Sequence, residues 1–248
     1  MSRGAGHPAR ERQQGGPSYM RISVIIPVLH EGENINDVLT SLEVSANDRP
    51  YETIVVDADP AGGTITRIKD SRVVTLRAEK GRARQMNTGA ARATGGILLF
   101  LHADTLLPAD ALAKIEEALS DGSCGGGAFD LGIQNSRWIF RLIGRCASWK
   151  HRLTRVPYGD QAIFLRRNVF EALGGYPEIP LMEDVELMKR VKRKGWRIII
   201  LPDAVKTSSR KWEKDGVIFT IFRNWVLQTL YLIGMPAARL VKYYYKEC

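Results

Sequence analysis

The sequence predicts an α/β fold, in which a mainly parallel sheet is flanked by helices and followed by a C-terminal helical extension. Two observations support this prediction. Apolar, β-branched runs alternate with segments of helical periodicity over the first half of the chain. The length of 248 residues, 44% of them hydrophobic, is enough for a single large domain that buries about three quarters of its unfolded surface.

Composition narrows the class of protein further. Three widely separated cysteines, Cys124, Cys146 and Cys248, exclude a disulfide framework and a cysteine-based zinc site, which leaves reduced thiols in the cytoplasm. The net charge of +9 favours polyanionic partners such as phosphates, anionic lipid or nucleic acid, without choosing among them. Residues 1–19 are rich in Gly, Arg, Gln and Pro and contain no apolar core of a secretory signal. We therefore expect a disordered leader and a cytoplasmic protein.

The first half of the chain reads as strand and helix in turn. Strand-like runs are "RISVIIPV", "YETIVVD", "RVVTLR" and "GILLFLHAD", and helical segments follow the first three, the second of them, "GGTITRIKD", being short. In parallel sheets, ligands bind outside the carboxyl ends of the strands. These ends are predicted at Pro27 to Glu31, Asp57 to Asp59 and His102 to Asp104, so three acidic loops should converge on one site.

The second half is less regular. A helix at 109–119 precedes the Gly-rich "GSCGGGAFDLGI", predicted as a strand that passes close to another backbone or a ligand. An Arg-rich amphipathic helix at 137–155, the strand "QAIFLRR", two short helices and the strand "WRIIIL" follow. Residues 217–245 are predicted to form one long helix or a broken pair. The domain organisation expected is therefore a leader (1–19), one α/β domain (20–212) and an amphipathic helical extension (213–248).

Seven segments in order resemble the inverting glycosyltransferases of family 2, which have the nucleotide-sugar-binding GT-A fold. They are "VIIPVLHE", "IVVDAD", "KGRARQMNTGA", "LFLHADT", "GGAFD", "YGDQAIFLRR" and "LMEDVELMKR". The closing "TSSRKW" resembles a reduced form of the Arg-Trp motif of many members. The "HADT" and "SSRKW" variants are most similar to a bacterial subgroup, some of whose relatives act on lipid or carotenoid acceptors.

The resemblance implies a nucleotide site at the strand ends. Asp57 would contact the nucleobase, and Pro27 and Glu31 would form the other wall of that pocket. Asp104 would bind a divalent cation, Mg²⁺ or Mn²⁺, together with the diphosphate oxygens, because hard cations prefer oxygen ligands. His102 stands where the family has the first Asp of its Asp-x-Asp motif, which touches the nucleotide. Alternatively, Asp57 and Asp104 are ordinary caps at strand ends, and His102 is a loop or core histidine whose hydrogen bonds are satisfied within the protein.

Basic residues at a helix start suit a diphosphate. Lys80 and Arg84 are candidates because they flank free backbone N–H groups at the predicted N-terminus. Arg82 is interpreted as a solvated surface residue, and the same interpretation remains open for Lys80 and Arg84.

A carboxylate is needed to accept the proton of the acceptor hydroxyl. Asp184 matches the family's base, with Glu183 as its neighbour, and inversion is taken from the family. Asp184 could instead be only the N-cap of its helix. The resemblance implies acceptor contacts for Asp160 and Trp212, although Asp160 could equally be a satisfied loop residue.

Charge and hydropathy near the C-terminus indicate a membrane surface. The helix predicted from Val217 is interrupted by Arg223, Asn224 and Gln228, so spanning is disfavoured, and these residues form a polar stripe with Thr220. Three alternatives for this helix remain, in decreasing order of preference. It lies on an anionic membrane surface on the cytoplasmic side, it makes a dimer or core contact, or it spans the membrane. The Arg-rich helix is either a solvated face or attracted to anionic lipid.

The function predicted is transfer of a sugar from a nucleoside-diphosphate sugar to an acceptor hydroxyl with inversion. Nucleotidyl transfer is the enzymatic alternative, but "PVLHEGEN" is not a Gly-rich phosphate loop. The non-enzymatic alternative is a membrane-associated protein that binds a nucleotide sugar without turnover. Nucleic acid is not expected, because its phosphates would meet the acidic site.

Overall fold

The computed structural model describes residues 21–244, apart from the side chain of Lys211, and these form an eight-stranded mixed sheet covered by helices. The leader predicted at 1–19 lies outside the described residues. The strand order is β3 (Val74–Arg77), β2 (Tyr51–Asp57), β1 (Ile22–Val28), β4 (Ile97–Phe100), β7 (Phe164–Arg166), β6 (Cys124–Gln134), β8 (Arg197–Ser208) and β5 (Thr105–Leu106), numbered along the chain. The chain therefore builds the sheet outward from β1 in both directions.

The first half follows the predicted alternation. Its elements are β1 (Ile22–Val28), α1 (Ile35–Ala46), β2 (Tyr51–Asp57), β3 (Val74–Arg77), α2 (Arg82–Arg92) and β4 (Ile97–Phe100). Strands β3, β2, β1 and β4 are all parallel. The helix predicted in "GGTITRIKD" is only a 3₁₀ turn, Ile65–Arg67. It stops there because the Asn36 side chain of α1 bonds the carbonyl of Arg67 and the N–H of Lys69, which holds the next residues extended.

The second half mixes strand directions, so the sheet is mainly parallel, as predicted, with antiparallel pairs confined to β5 and β7. Its elements are β5 (Thr105–Leu106), α3 (Ala111–Ala118), β6 (Cys124–Gln134), α4 (Trp138–Thr154), β7 (Phe164–Arg166), α5 (Arg167–Ala172), α6 (Glu183–Arg193) and β8 (Arg197–Ser208). Strand β7 is antiparallel to both β4 and β6, whereas β6 and β8 are parallel and β5 is antiparallel to β8.

The predicted Gly-rich strand is β6, and its glycines allow a close approach. A Cβ at Gly126 would collide with the carbonyl of Phe164, and one at Gly127 with the carbonyl of Ile199. The backbone of β6 therefore packs directly against both neighbouring strands, as expected for glycine inside a sheet.

Two apolar clusters cover the two faces of the sheet. Helices α1 and α3 bury Ile35 and Ile115 on one face, and α2 and α6 bury Met86 and Met188 on the other. This packing places the N-terminus of α2 and the start of α6 at the carboxyl ends of β1 and β4, where the site is expected.

The C-terminal segment is a broken pair of helices after a short one. They are α7 (Arg210–Asp215), α8 (Val217–Leu232) and α9 (Ala237–Tyr244). The break lies at Gly234, whose φ of +98° suits glycine, and at Pro236. Leu227 and Leu240 pack on Leu181, just before α6. Among the described helices, none combines the length and the apolar character needed to cross a membrane.

Candidate active site

A cleft of about 650 Å³ opens at the carboxyl ends of β1 and β4. Of the predicted site residues, seven line it: Pro27, Glu31, Lys80, Arg84, His102, Asp104 and Glu183. Two of the three acidic loops predicted at strand ends, those after β1 and β4, therefore meet at this cleft.

The floor of the cleft is held by Gln85 of α2. Its buried side-chain amide donates hydrogen bonds of 2.8 Å to the carbonyl oxygens of Val28 and Val56. These are at the ends of β1 and β2, so one side chain ties α2 to both strands.

Asp57 lies beside the cleft and is not among the described residues that line it. Its carboxylate is fully buried and accepts hydrogen bonds from the backbone N–H groups of Asp59, Thr64 and Ile65, at 2.9, 3.1 and 3.4 Å. The hydroxyl of Thr64 in turn accepts a hydrogen bond from the N–H of Glu31. Asp57 thus organises the loop next to the pocket, and its contact with a nucleobase stays a prediction.

Glu31 and Asp104 form the acidic wall. Glu31 accepts hydrogen bonds from Asn34 at 2.8 Å and from Arg210 at 3.2 Å. Asp104 follows β4, and its carbonyl accepts the N–H of Ser208 from β8. Burial raises the pKa of Asp104, and the negative charge of Glu31 raises it further, whereas Arg210 and Arg82 oppose this.

This acidic wall fits a hard divalent cation. Crowding of two carboxylates is relieved by a positive ion, and carboxylate oxygens are the ligands that Mg²⁺ and Mn²⁺ take. In the described part of the chain there is no cluster of three or more His, Cys, Asp or Glu side chains able to hold a metal. Asp104 would therefore share the ion with oxygens of the donor.

Arg82 is a lining residue of the cleft that sequence reasoning did not select. Its guanidinium is 3.4 Å from Oε1 of Glu183, which is almost fully buried. The positive charge of Arg82 also lowers the pKa values of the carboxyl groups around it, namely Asp104, Asp160, Glu183 and Asp184. Arg82 is exposed, as expected, but it also places a positive charge beside the carboxyl groups of the site.

The two predicted diphosphate ligands lie at the rim. Lys80 is exposed and lines the cleft. Arg84 also lines it, but its guanidinium pairs with Glu79 and, at 3.0 Å, with Glu178. Both residues remain within reach of a ligand in the cleft.

His102 is uncharged in this site. Burial, reinforced by the charge of Arg82, lowers its pKa to about 3. A Cβ at Gly159 would lie 2.9 Å from its Nε2 and 3.5 Å from Oδ2 of Asp184. The imidazole therefore faces the same backbone position as the predicted base.

Asp184 lies in the first turn of α6 and is not its N-cap. The helix begins at Glu183, and Met182 is the capping residue, in a left-handed conformation with φ +66°. Oδ2 of Asp184 accepts a hydrogen bond of 2.6 Å from the N–H of Gly159, and Oδ1 one of 2.7 Å from the N–H of Val185. Burial raises the pKa of Asp184, although these hydrogen bonds oppose the effect. The alternative that Asp184 is only the N-cap of its helix is therefore wrong.

Asp160 lies next to the predicted base. Its Oδ1 is buried and has no hydrogen-bond partner among the described residues. Burial, with repulsion from Asp184 and Asp104, raises its pKa to about 7. The 3₁₀ turn that carries Asp160 is anchored by Gln161, whose side chain donates a 2.7 Å hydrogen bond to the carbonyl of Phe129. Asp160 is thus an unsatisfied polar group beside Asp184.

Trp212 lies elsewhere. Its ring packs edge-on against Phe140 of α4, with centroids 6.5 Å apart, and it is not among the described residues that line the cleft. The residue near Asp160 and Asp184 that sequence reasoning did not select is Tyr244 of α9. Burial raises the pKa of Tyr244, the charges of Arg82 and Arg223 oppose this, and those of Asp160 and Asp184 add to the increase. The C-terminal helices therefore lie near Asp160 and Asp184.

Comparison with known proteins identifies the family. The model of the family "Glycosyl transferase family 2" matches residues 23–173. The chain belongs to glycosyltransferase family 2. The match includes Glu31, Asp57, His102, Asp104 and Asp160 and ends before Asp184, so the role of Asp184 depends on geometry and on the resemblance.

Individual relatives of the family 2 chain are more distant. It is 26% identical over 171 residues to a dolichol-phosphate mannosyltransferase from Pyrococcus furiosus, which covers 62% of this chain and 48% of that protein. It is 26% identical over 221 residues to the probable glycosyltransferase YdaM from Bacillus subtilis, covering 79% of this chain and 51% of that one. The chain thus spans about half the length of these curated relatives.

A solved structure confirms the fold. The mannosyltransferase PcManGT from Pyrobaculum calidifontis, in complex with GDP-Man and Mn²⁺, superposes with a TM-score of 0.62 at 24% identity, covering 77% of this chain and 57% of that one. The predicted GT-A fold and the resemblance to family 2 are both confirmed.

Proposed function

We propose that this family 2 protein transfers a sugar from a nucleoside-diphosphate sugar to an acceptor hydroxyl with inversion. The observation that carries the proposal is the position of Asp184. The half-buried carboxylate of Asp184 is held by the N–H of Gly159. Its neighbour Glu183 lines a cleft whose wall also contains Asp104 and Lys80. The site therefore offers a base on one side and groups suited to a diphosphate on the other.

On the donor side, the proposed roles follow from charge. Asp104 would hold a divalent cation, which neutralises the diphosphate as it leaves. Lys80 and the first N–H groups of α2 would bind the phosphate oxygens, because helix N-termini favour anions. Pro27 and Glu31 would line the nucleoside pocket.

On the acceptor side, Asp184 would take the hydroxyl proton. The acceptor oxygen forms its bond to the anomeric carbon while the bond from that carbon to the diphosphate oxygen breaks, and the proton passes to Asp184. A single displacement of this kind inverts the anomeric centre. A raised pKa suits the task, since a general base works best when its pKa lies near the operating pH.

The relatives suggest which substrates to test first. A neighbour in the fold binds GDP-Man with Mn²⁺, and a relative is named a dolichol-phosphate mannosyltransferase. GDP-mannose with Mn²⁺ is therefore the first donor to assay, and a lipid-linked acceptor is the first acceptor class. Carotenoid acceptors are the second class.

The test compares Asp184→Asn with Asp48→Asn, an exposed aspartate in the turn after α1. We expect Asp184→Asn to lower the transfer rate about 10²–10⁴-fold, as removal of a general base does. Calorimetry with Mn²⁺ should give the same donor affinity for both variants. Transfer by Asp184→Asn at the parent rate would refute the assignment and point to Glu183 or Asp160. Donor binding with no turnover over a broad acceptor panel would favour the non-enzymatic alternative.

A further inference from the structure

Helix α8 turns Thr220, Arg223 and Gln228 of its polar stripe toward the protein, leaves Asn224 exposed, and exposes much of its apolar side. Arg223 is only 8% exposed and Thr220 is buried, whereas Ile218 and Trp225 are 84% and 65% exposed. Phe222, Leu232 and Ile233 are also exposed. Large exposed apolar patches on soluble domains mark interaction surfaces. The described part of the protein leaves this one uncovered.

The inward face of α8 is fixed by specific contacts. Arg223 donates a 2.7 Å hydrogen bond to Asp215, and its guanidinium lies 5.4 Å from the ring centroid of Phe219 and 5.2 Å from that of Tyr244. Gln228 accepts a 2.9 Å hydrogen bond from Lys150 of α4. These contacts hold the helix so that its apolar side faces solvent.

Helix α4 presents a second stripe of the same character. Trp149 is 70% exposed, and Trp138, Leu142 and Leu153 are exposed on the same helix. Lys150 ties α4 to α8, and Phe140 ties it to Trp212 of α7. The exposed apolar side chains of α4 and α8 thus belong to neighbouring helices.

A basic groove lies under Trp149. It has a volume of about 710 Å³ between α4 and strands β6 and β8, with apolar residues such as Leu131 and Val205 in its lining. Three basic residues that line it are exposed: Arg141, Arg145 and Lys206. Their side chains make no hydrogen bond or ion pair within the described residues. Arg152, by contrast, is neutralised by Asp130 through two hydrogen bonds. The groove therefore carries three uncompensated positive charges beside an exposed tryptophan.

We propose that the outer faces of α4 and α8 form a membrane-docking surface and that the groove between α4 and strands β6 and β8 binds the phosphate headgroup of an anionic lipid. Tryptophan and aliphatic side chains next to arginines are the composition of interfacial helices. A second copy of this chain fits less well, because a symmetric contact would place the basic patch that contains Arg141 and Arg145 against the same patch of the other copy. The inference goes beyond the transfer reaction and does not depend on it.

The test measures binding to phosphatidylcholine vesicles with and without phosphatidylglycerol by co-sedimentation, at low and high salt. The parent chain should pellet with the anionic vesicles and less so at high salt. Arg141→Gln with Arg145→Gln should lower the partition coefficient at least about tenfold at low salt, given about 1 kcal/mol for each basic residue at the surface. The control, Lys69→Gln with Arg92→Gln, removes the same charge from exposed sites elsewhere and should bind as the parent does.

A second variant isolates the apolar contribution. Phe222→Ser with Trp225→Ser alters only exposed side chains, so it should fold, which circular dichroism checks, and it should lose binding at both salt concentrations. Equal binding by the Arg141 and Arg145 double variant and its control would refute the headgroup site. Failure of the parent chain to pellet at low salt, with a dimer in sedimentation velocity that the Phe222 and Trp225 variant abolishes, would overturn the docking surface in favour of self-association. Neither result depends on turnover, so the transfer reaction is judged separately.

Discussion

The backbone N–H of Gly159 donates a 2.6 Å hydrogen bond to the carboxylate of Asp184, a residue 25 positions later in the chain. The same glycine faces Nε2 of His102 so closely that a Cβ would lie 2.9 Å from that atom. The loop before β7, the loop after β4 and the start of α6 therefore meet at one backbone position. The orientation of the proposed base depends on this contact.

We expect Gly159→Ala to reduce transfer while the chain still folds. The added methyl group meets the end of a side chain, which can rotate away at little cost in stability, but the rotation displaces His102 and loosens the contact to Asp184. Transfer rates and thermal melts measure the two effects. The control is Gly122→Ala, at a position with open space around the new Cβ. Equal activity of the two variants would contradict the packing described for His102.

Loss of Arg82 should move the acid limb of the rate profile to higher pH. The positive charge of Arg82 lowers the pKa of Asp184, so Arg82→Gln should raise that pKa, and more hydroxide is then needed to ionise the base. The measurement is the transfer rate against pH under saturating donor. Arg84→Gln is the matched control, because Arg84 pairs instead with Glu79 and Glu178. An acid limb that moves equally in both variants would exclude a specific role for Arg82.

Asp104→Asn should weaken the dependence of donor binding on Mn²⁺. Loss of an outer-shell partner of a metal ligand typically lowers metal affinity about 10–100-fold. Removal of a carboxylate ligand itself should cost at least as much, so we expect the affinity for Mn²⁺ to fall about tenfold or more. Calorimetric titration of Mn²⁺ in the presence of nucleoside diphosphate tests this. His102→Asp should retain or tighten metal binding, because it adds an oxygen ligand nearby. Full turnover of the parent chain in excess chelator would contradict the requirement for a cation.

Asp160→Asn should stabilise the ligand-free protein at neutral and alkaline pH. The pKa of this carboxyl is raised to about 7 in the folded chain, so the folded state binds more protons than the unfolded state between about pH 4 and pH 7. Stability of the parent chain therefore falls as pH rises through this range, by about 1.4 kcal/mol for each pH unit at most. Thermal melts with chelator present should show a gain for the variant that grows up to about pH 7 and then stays constant. A gain that is independent of pH would refute the assignment.

Sequence reasoning was most successful where chemistry follows strand ends. Glu31 and Asp104 come after apolar runs that could be recognised locally, and the rule for parallel strands was enough to place them in one cleft. Arg82 was not selected as a site residue because its partner, Glu183, lies 101 positions away and no local pattern connects them. The antiparallel direction of β7 was not predicted either, because a three-residue strand carries no signal for direction.

Helix α8 shows a different limit of prediction from sequence. Its polar stripe was predicted correctly as a pattern, but the pattern does not say which side faces the protein. Burial of Arg223 requires Asp215 and the rings of Phe219 and Tyr244, which only the folded chain brings together. Without those contacts, burying a guanidinium is too costly to be expected.

The two hydrogen bonds of Gln85 have a consequence for how the protein meets its ligand. Because they join α2 to the last residue of β1 and the penultimate residue of β2, the helix start and the two strand ends are connected before anything binds. Entropy lost in ordering this wall is therefore lost during folding and not during association. Recognition on this side should be close to lock-and-key, so any induced fit that accompanies catalysis must occur on the opposite wall, where α6 meets the C-terminal helices.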